Sequence, residues 1–233
     1  MFTKTAEYYD ALYHFIDYEN ICKHLHELIQ HQSPGTSSLL DVGCGTGRHL
    51  SHLQNLYQAE GVDINWELLE IAKKNCPAVT FHTGDMRSFE LNKSFDVVAC
   101  LFSSIGYVKT ETGLNDSLQS MTRHLNNNGL LLLEPWIWPE DYWLGKITAN
   151  FVDRHELKIS WMYISERYDD ISVFDIKYMV GTPTSIEQFS ERHEMGLWTD
   201  AQYRTAMEKA GLHDIQYIKN ETFRRGLYYG RKH

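Results

Sequence analysis

Leu39-Leu40-Asp41-Val42-Gly43-Cys44-Gly45-Thr46-Gly47 reads as a buried strand that runs into a glycine turn opening a helix. Glycines at 43, 45 and 47 remove side chains where a backbone turns sharply and nears a ligand, and the free amides of the helix start face that ligand. A dinucleotide loop places its third glycine one residue later, where Arg48 stands. The G-x-G-x-G spacing, with Asp41 near the end of the strand, points to S-adenosylmethionine (SAM) rather than a nicotinamide cofactor.

Moving outward, Ala59-Glu60-Gly61-Val62-Asp63 is a second expected strand, ending in an acid 22 residues after Asp41. An acid about 20 residues beyond the first strand reaches ribose hydroxyls in such folds. Asp63 is therefore expected on the cofactor's ribose. A third short strand, Val79 to His82, leads into Gly84-Asp85-Met86. There a carboxylate would accept from the adenine amino group while a thioether lies on the ring.

Composition narrows the field. The chain has 233 residues, 42% of them apolar, enough to bury a full core. A formal charge of −9 without a Lys/Arg run argues against nucleic acid and against a membrane surface, and favours a small-molecule partner. Met1 to Glu7 lacks the apolar core of a leader, and no run approaches the roughly 20 apolar residues of a membrane span. The expected compartment is cytoplasmic. The four cysteines have no C-x-x-C spacing and read as reduced thiols. Twelve histidines raise a metal reading, but no H-E-x-x-H or Cys/His set completes a coordination sphere, so no metal is expected.

Helical spacing runs through Tyr18 to Ile29, Arg48 to Tyr57, Trp66 to Lys74 after the cap Asn65, and Leu114 to Leu125. Between them lie continuous apolar runs such as Phe95 to Leu101 and Leu130 to Glu134, as expected for parallel strands covered on both faces. The fold class is α/β, a Rossmann-like, doubly wound, mostly parallel sheet. From Pro139 to Trp198 the pattern turns strand-like: Asn150 to Asp153, Leu157 to Arg167, Ser172 to Val180 and Ile186 to Met195. This predicts an antiparallel insertion, residues 139–198, after strand five of a SAM-binding domain formed by residues 1–138 and 199–233. The insertion would cover the substrate or pair across a homodimer. Thr199-Asp200-Ala201-Gln202 is a capping box for a helix ended by Gly211, after which Ile215 to Lys219 and Gly226 to Gly230 complete the sheet.

Together, the glycine loop, Asp63 and the Asp85-Met86 pair resemble class I SAM-dependent methyltransferases. Phe102-Ser103-Ser104-Ile105-Gly106-Tyr107, Glu134-Pro135-Trp136, Pro139-Glu140, Phe189-Ser190 with His193, and Arg225-Gly226-Leu227 are similar to the TDP-3-amino-sugar N,N-dimethyltransferases of macrolide antibiotic biosynthesis. The resemblance implies two methyl transfers from SAM, released as S-adenosylhomocysteine, to one sugar nitrogen. It implies cofactor contacts at Tyr9, Asp41, Gly43, Gly45, Gly47, Asp63, Ile64, Asp85, Met86 and Phe102. Substrate contacts are implied at Tyr13, Tyr18, Ser104, Trp136, Trp138, His193 and Arg225. Tyr8-Tyr9-Asp10-Ala11-Leu12-Tyr13 is similar to the segment that closes over the methionine end of SAM, with Tyr9 and Tyr13 on one helical face.

The chain departs from that family twice. Ile16 stands where a basic residue precedes the Asp-Tyr pair, and Ser160-Trp161-Met162 replaces a Ser-His-Ser stretch. Arg225 remains as the anion-binding candidate, since guanidinium forks suit diphosphate oxygens. A sulfonium methyl is already electrophilic, so positioning a neutral amine within about 3–3.5 Å of it does most of the work. Tyr107, directly after the strand-four loop, is the catalytic candidate for orienting that amine. Two alternatives stay open: a methyltransferase of a free small amine or amino-acid-derived intermediate, and a non-catalytic SAM-binding module.

Overall fold

The computed structural model describes residues 4–233; residues 1–3, which begin the stretch read above for a leader, lie outside the described residues. Strands β1 (Ser38–Val42), β2 (Gln58–Asp63), β3 (Thr80–Thr83), β4 (Phe95–Cys100) and β5 (Leu125–Leu133) alternate with helices, as their unbroken apolar runs require. Between them lie α2 (Tyr18–Gln32, before β1), α3 (Leu50–Leu53), α4 (Trp66–Asn75) and α5 (Glu111–Arg123), and a short α1 (Tyr9–Leu12) precedes them all.

Successive strand residues point to opposite faces, and each face is filled. Leu40, Val42, Val98, Cys100, Leu131 and Leu133 join Leu114, Leu118 and Met121 of α5 in one core layer. Leu39, Val97, Ala99, Leu130 and Leu132 join Leu25 and Ile29 of α2 and Leu50 and Leu53 of α3 in the other.

Four further strands, β6 (Ile147–Arg154), β7 (Leu157–Tyr168), β8 (Ile171–Gly181) and β9 (Ile186–Gly196), form a separate antiparallel sheet in sequential order. The chain returns through α6 (Asp200–Lys209), β10 (Leu212–Ile218) and β11 (Leu227–Lys232). The main sheet has seven strands in the order β10-β11-β5-β4-β1-β2-β3. β11 lies antiparallel between β5 and β10, whereas β1 is parallel to both β2 and β4. The chain thus leaves β1 toward β2 and β3, then crosses to the other side for β4 and β5. That reversal opens a crevice beyond the carboxyl ends of the strands, where open α/β sheets bind ligands.

Local chemistry explains the boundaries. Asn65 caps α4 by accepting from Glu67 N and Leu68 N at 2.9 and 3.4 Å. Thr199 and Gln202 cap α6 reciprocally. The helix expected over Arg48 to Tyr57 is regular only over α3, because Leu56 N and Tyr57 N both turn back onto Leu53 O and the Ser51 hydroxyl binds Arg48 O. β5 starts five residues earlier than its apolar run; its asparagines are carried past a register shift, with Asn128 in the left-handed region.

The N-terminal segment belongs to the second sheet as much as to the first. Ala11 and Leu12 pack with Val152, Ile159, Tyr178 and Val180 of the antiparallel strands. All four cysteines are buried and unpaired. Among the described residues no helix is long and apolar enough to cross a membrane.

Candidate active site

The glycine loop is pinned at the carboxyl end of β1, where Gly43 N and Cys44 N donate to Val62 O at 2.7 and 3.1 Å. Gly43 has φ +75°, and a Cβ there would come within 2.7 Å of the Ser104 Cβ. Only glycine lets this loop and the one after β4 approach so closely. Gly45 N donates to Asp63 Oδ2 at 2.8 Å and Asn65 N to Asp63 Oδ1 at 2.8 Å, which fixes the carboxylate at the end of β2. Burial raises the Asp63 pKa against the pull of these amides.

A cavity of about 360 Å³ lies against this loop. Its wall gathers Tyr9, Gly43, Gly45, Asp63, Ile64, Asp85, Met86, Phe102, Ser104 and Tyr107 from five separate stretches of chain. Asp85 is held by the Arg87 guanidinium, which donates to both carboxylate oxygens at 3.0 Å and keeps the acid below its ordinary range.

Two residues singled out for the cofactor stand off this wall. Gly47 (φ +75°) packs inward, where a Cβ would meet Ala72, Cys76 and Phe81 at 3.3–3.5 Å; its role is helix–sheet packing. Asp41 is 1% exposed beneath the loop. Neither carboxylate oxygen has a hydrogen-bond partner among the described residues, and burial, followed by the charge of Asp63, pushes its pKa up to about 7.

The loop after β4 divides the site. Phe102 and Ser103 both take positive φ, 51° and 61°, a costly conformation for residues with side chains. Glu134 holds the turn by accepting from Phe102 N at 2.7 Å, while Ser103 Oγ donates to Pro135 O at 2.7 Å. The Phe102 ring is thereby set between the first cavity and a second of about 210 Å³. Tyr13, Trp136, His193 and Arg225 line the second cavity. Arg225 stands 4.4 Å from the Trp136 ring centroid and donates to Ser103 Oγ at 3.2 Å. Tyr107, on the first wall, meets His193, on the second, through a 2.9 Å hydrogen bond between its hydroxyl and Nδ1.

Tyr18 and Trp138 line neither cavity. Tyr18 is buried edge-on to His49 with Arg48 over its ring. Trp138 lies tilted against Tyr217 and walls a neighbouring cleft of about 500 Å³ that also contains Lys219, Arg224 and, at its junction with the second cavity, Trp136 and Arg225.

Residues 39–129 match the model of a methyltransferase domain family. Over 229 residues the chain is 33% identical to the dTDP-3-amino-3,4,6-trideoxy-alpha-D-glucopyranose N,N-dimethyltransferase of Streptomyces venezuelae, covering 97% of this chain and 96% of that protein. The chain belongs to the amino-sugar N,N-dimethyltransferase family. The crystal structure of Streptomyces venezuelae DesVI superposes with a TM-score of 0.93 at 32% identity, each chain fully covered. SAM-bound CalS10, an amino pentose methyltransferase from Micromonospora echinaspora, does so at 0.88 with 27% identity over 100% of this chain and 98% of its own.

The methyltransferase's own residues fit SAM as cofactor. The glycine cradle leaves no room for a side chain at 43, and the acid at the end of β2 stands on the cavity wall, where a ribose would need it. Among the described residues no group of His, Cys, Asp and Glu could hold a metal ion.

Sequence reasoning missed part of both walls. Lys109 and Val108 on the first came without a signal, as they follow Tyr107 in a 3-10 turn whose direction no periodicity predicts. Tyr163, Phe174 and Tyr178 on the second face inward by strand alternation, a pattern that was legible but read only as sheet. Trp161, noted above only as a departure from the family, lies on this wall too, with its buried indole N–H unpartnered among the described residues.

Proposed function

We propose that the methyltransferase acts on the amine of a nucleotide-linked amino sugar, with the sugar in the second cavity and the nucleotide directed along the cleft of Trp138, Tyr217 and Lys219. The observation that carries this reading is Arg225. It is half-buried where the sugar-sized cavity joins an open cleft lined by aromatic and basic side chains together with Glu140 and Asp141, the place a diphosphate linking the two parts would occupy. Guanidinium donors suit diphosphate oxygens, and an aromatic cleft suits a base.

SAM, when bound, supplies an electrophilic sulfonium methyl. The chain's task is then to place and desolvate the amine. Tyr9, Asp63, Ile64, Asp85, Met86 and the glycine loop hold the cofactor. Phe102 and Ser104 shape the passage between the cavities, and Tyr107 orients the amine from the partition. Tyr13, Trp136 and His193 enclose the sugar, and the faces of Trp136 and Phe102 favour the cationic substrate as well as Arg225. Residues 139–198 serve as the substrate cover on a cofactor-binding body of residues 1–138 and 199–233. The supply of SAM and sugar nucleotides fits work in the cytoplasm.

Product mass spectrometry tests this. The purified chain is incubated with SAM and either TDP-amino sugars or free amines and amino acids. Successive gains of one and two methyl masses on an amino sugar are expected. Methylation confined to free amines would move the substrate, and SAM binding without product in either pool would overturn the assignment. Arg225→Ala should lose activity on the nucleotide sugar while binding SAM normally.

A further inference from the structure

We propose that Tyr107, His193 and Glu191 form a proton relay that takes the proton of the substrate amine, with Glu191 as the positioning residue that ties the relay to the segment covering the cofactor. The proposal rests on the amine reading above. Its members come from three places: Tyr107 from the loop after β4, and Glu191 and His193 two apart on the inward face of β9.

Both β9 side chains are buried, at 6% and 3% exposure, although a buried carboxylate needs a reason. Lys4 N and Thr5 N donate to Glu191 Oε1 at 2.7 and 3.2 Å, and the Thr5 hydroxyl donates to Oε2. That same Oε2 lies 3.8 Å from His193 Nε2. The opposite ring nitrogen, Nδ1, is 2.9 Å from the Tyr107 oxygen. A carboxylate only accepts, so it favours the tautomer with the proton on Nε2. Nδ1 is then the acceptor, and the Tyr107 hydroxyl donates to it. Burial raises the Tyr107 pKa well above its ordinary value, which keeps it a neutral donor. An anchor for the N-terminus alone would need Thr5 and Glu191, with no imidazole between Glu191 and the partition.

An amino-sugar amine arrives mostly as ammonium and has no lone pair to offer. In the relay its N–H proton moves to the Tyr107 oxygen as the Tyr107 proton moves to His193 Nδ1. A neutral amine, a neutral phenol and an imidazolium facing Glu191 result. The nitrogen lone pair then forms the N–C bond while the C–S pair returns to sulfur. After a first methylation the secondary ammonium needs the same step again. The other ionisable groups around the pair are Tyr9 and Tyr13 before α2, Asp63 on the first wall with Tyr107, Tyr163 on β7, Tyr178 on β8 and Arg225 across the cavity. Of the two acids, Glu191 is the one that stands 3.8 Å from the imidazole, so it is the partner that favours the imidazolium.

The test combines kcat–pH profiles with 15N spectra of the imidazoles in protein saturated with S-adenosylhomocysteine, the His193 signal being identified by its loss in H193Q. The expected wild-type signal is the Nε2–H tautomer. E191Q should lower the His193 titration and the acid limb of kcat together by about one pH unit, because the imidazolium loses its anionic neighbour. Y107F and H193Q should lower kcat roughly 100-fold with the KM for SAM within about twofold of wild type. An Nδ1–H tautomer in wild type, or a His193 titration unmoved by E191Q, overturns the relay. The spectra need no turnover, so a chain that methylates none of the offered amines refutes the proposed function while the spectra still decide the relay.

Discussion

Asp63 on the cavity wall and Asp41 beneath the glycine loop behave oppositely. Asp63 is held by two amides on the cavity wall, so Asp63→Ala should weaken SAM binding by about 1.5–3 kcal/mol, the worth of a charged hydrogen bond; calorimetry reads it. Asp41 is different, since its carboxyl is pushed up to about 7 by burial. Over the window from an unfolded value near 3.9 to about 7, the folded ligand-free chain keeps a proton that the unfolded chain has released. Stability therefore falls as pH rises through that window, by at most about 1.4 kcal/mol per pH unit. Asp41→Asn should remove this slope, leaving stability at pH 4 near wild type and raising it at pH 8, as urea titrations would show. Asp63, Asp85 and Tyr107 could be singled out from sequence because Asp63 closes β2, Asp85 lies just past β3 and Tyr107 belongs to the turn after β4. Glu191 could not, because an acid in an alternating strand looks solvated until the fold brings Thr5 against it.

At the scale of elements, turns and caps set what packing then holds. Gly226 has φ +88°, and a Cβ there would collide with the Tyr217 ring and hydroxyl. Gly226→Ala should thus cost more than the usual 1–3 kcal/mol for backbone strain and disturb Arg225 next to it, visible as a lowered melting temperature together with a raised sugar-nucleotide KM. Thr199→Ala breaks the box that starts α6 and should cost about 1 kcal/mol without touching SAM affinity. The parallel strands were legible because burial on both faces leaves no alternation to misread: β4 and β5 are apolar throughout their buried halves, and β1 is so apart from Asp41. α3 was overread, since Ser51 and Gln54 satisfy backbone carbonyls that a longer helix would have used. The asparagines that open β5 carry no apolar signal, so only its second half could be seen.

Across the whole molecule, the cofactor cavity belongs to one sheet and the sugar-sized cavity largely to the other. Saturation with S-adenosylhomocysteine at about 100 times Kd should stabilise the chain by about 2.7 kcal/mol, and a thermal shift would record it. The sequence announced both sheets yet not the seam between them, because a cluster that joins Leu12 with Val152 and Val180 has no signature in either segment alone. That seam has a kinetic meaning. The strap of residues 9–15 contributes Tyr9 to the first cavity and Leu12, Tyr13 and Phe15 to the second, so on the proposed reading any opening of it that exchanges spent cofactor would also unroof the sugar. Between one methyl and the next, a half-finished product faces a race between departure and recapture, and the ratio of singly to doubly methylated sugar becomes a clock for the strap.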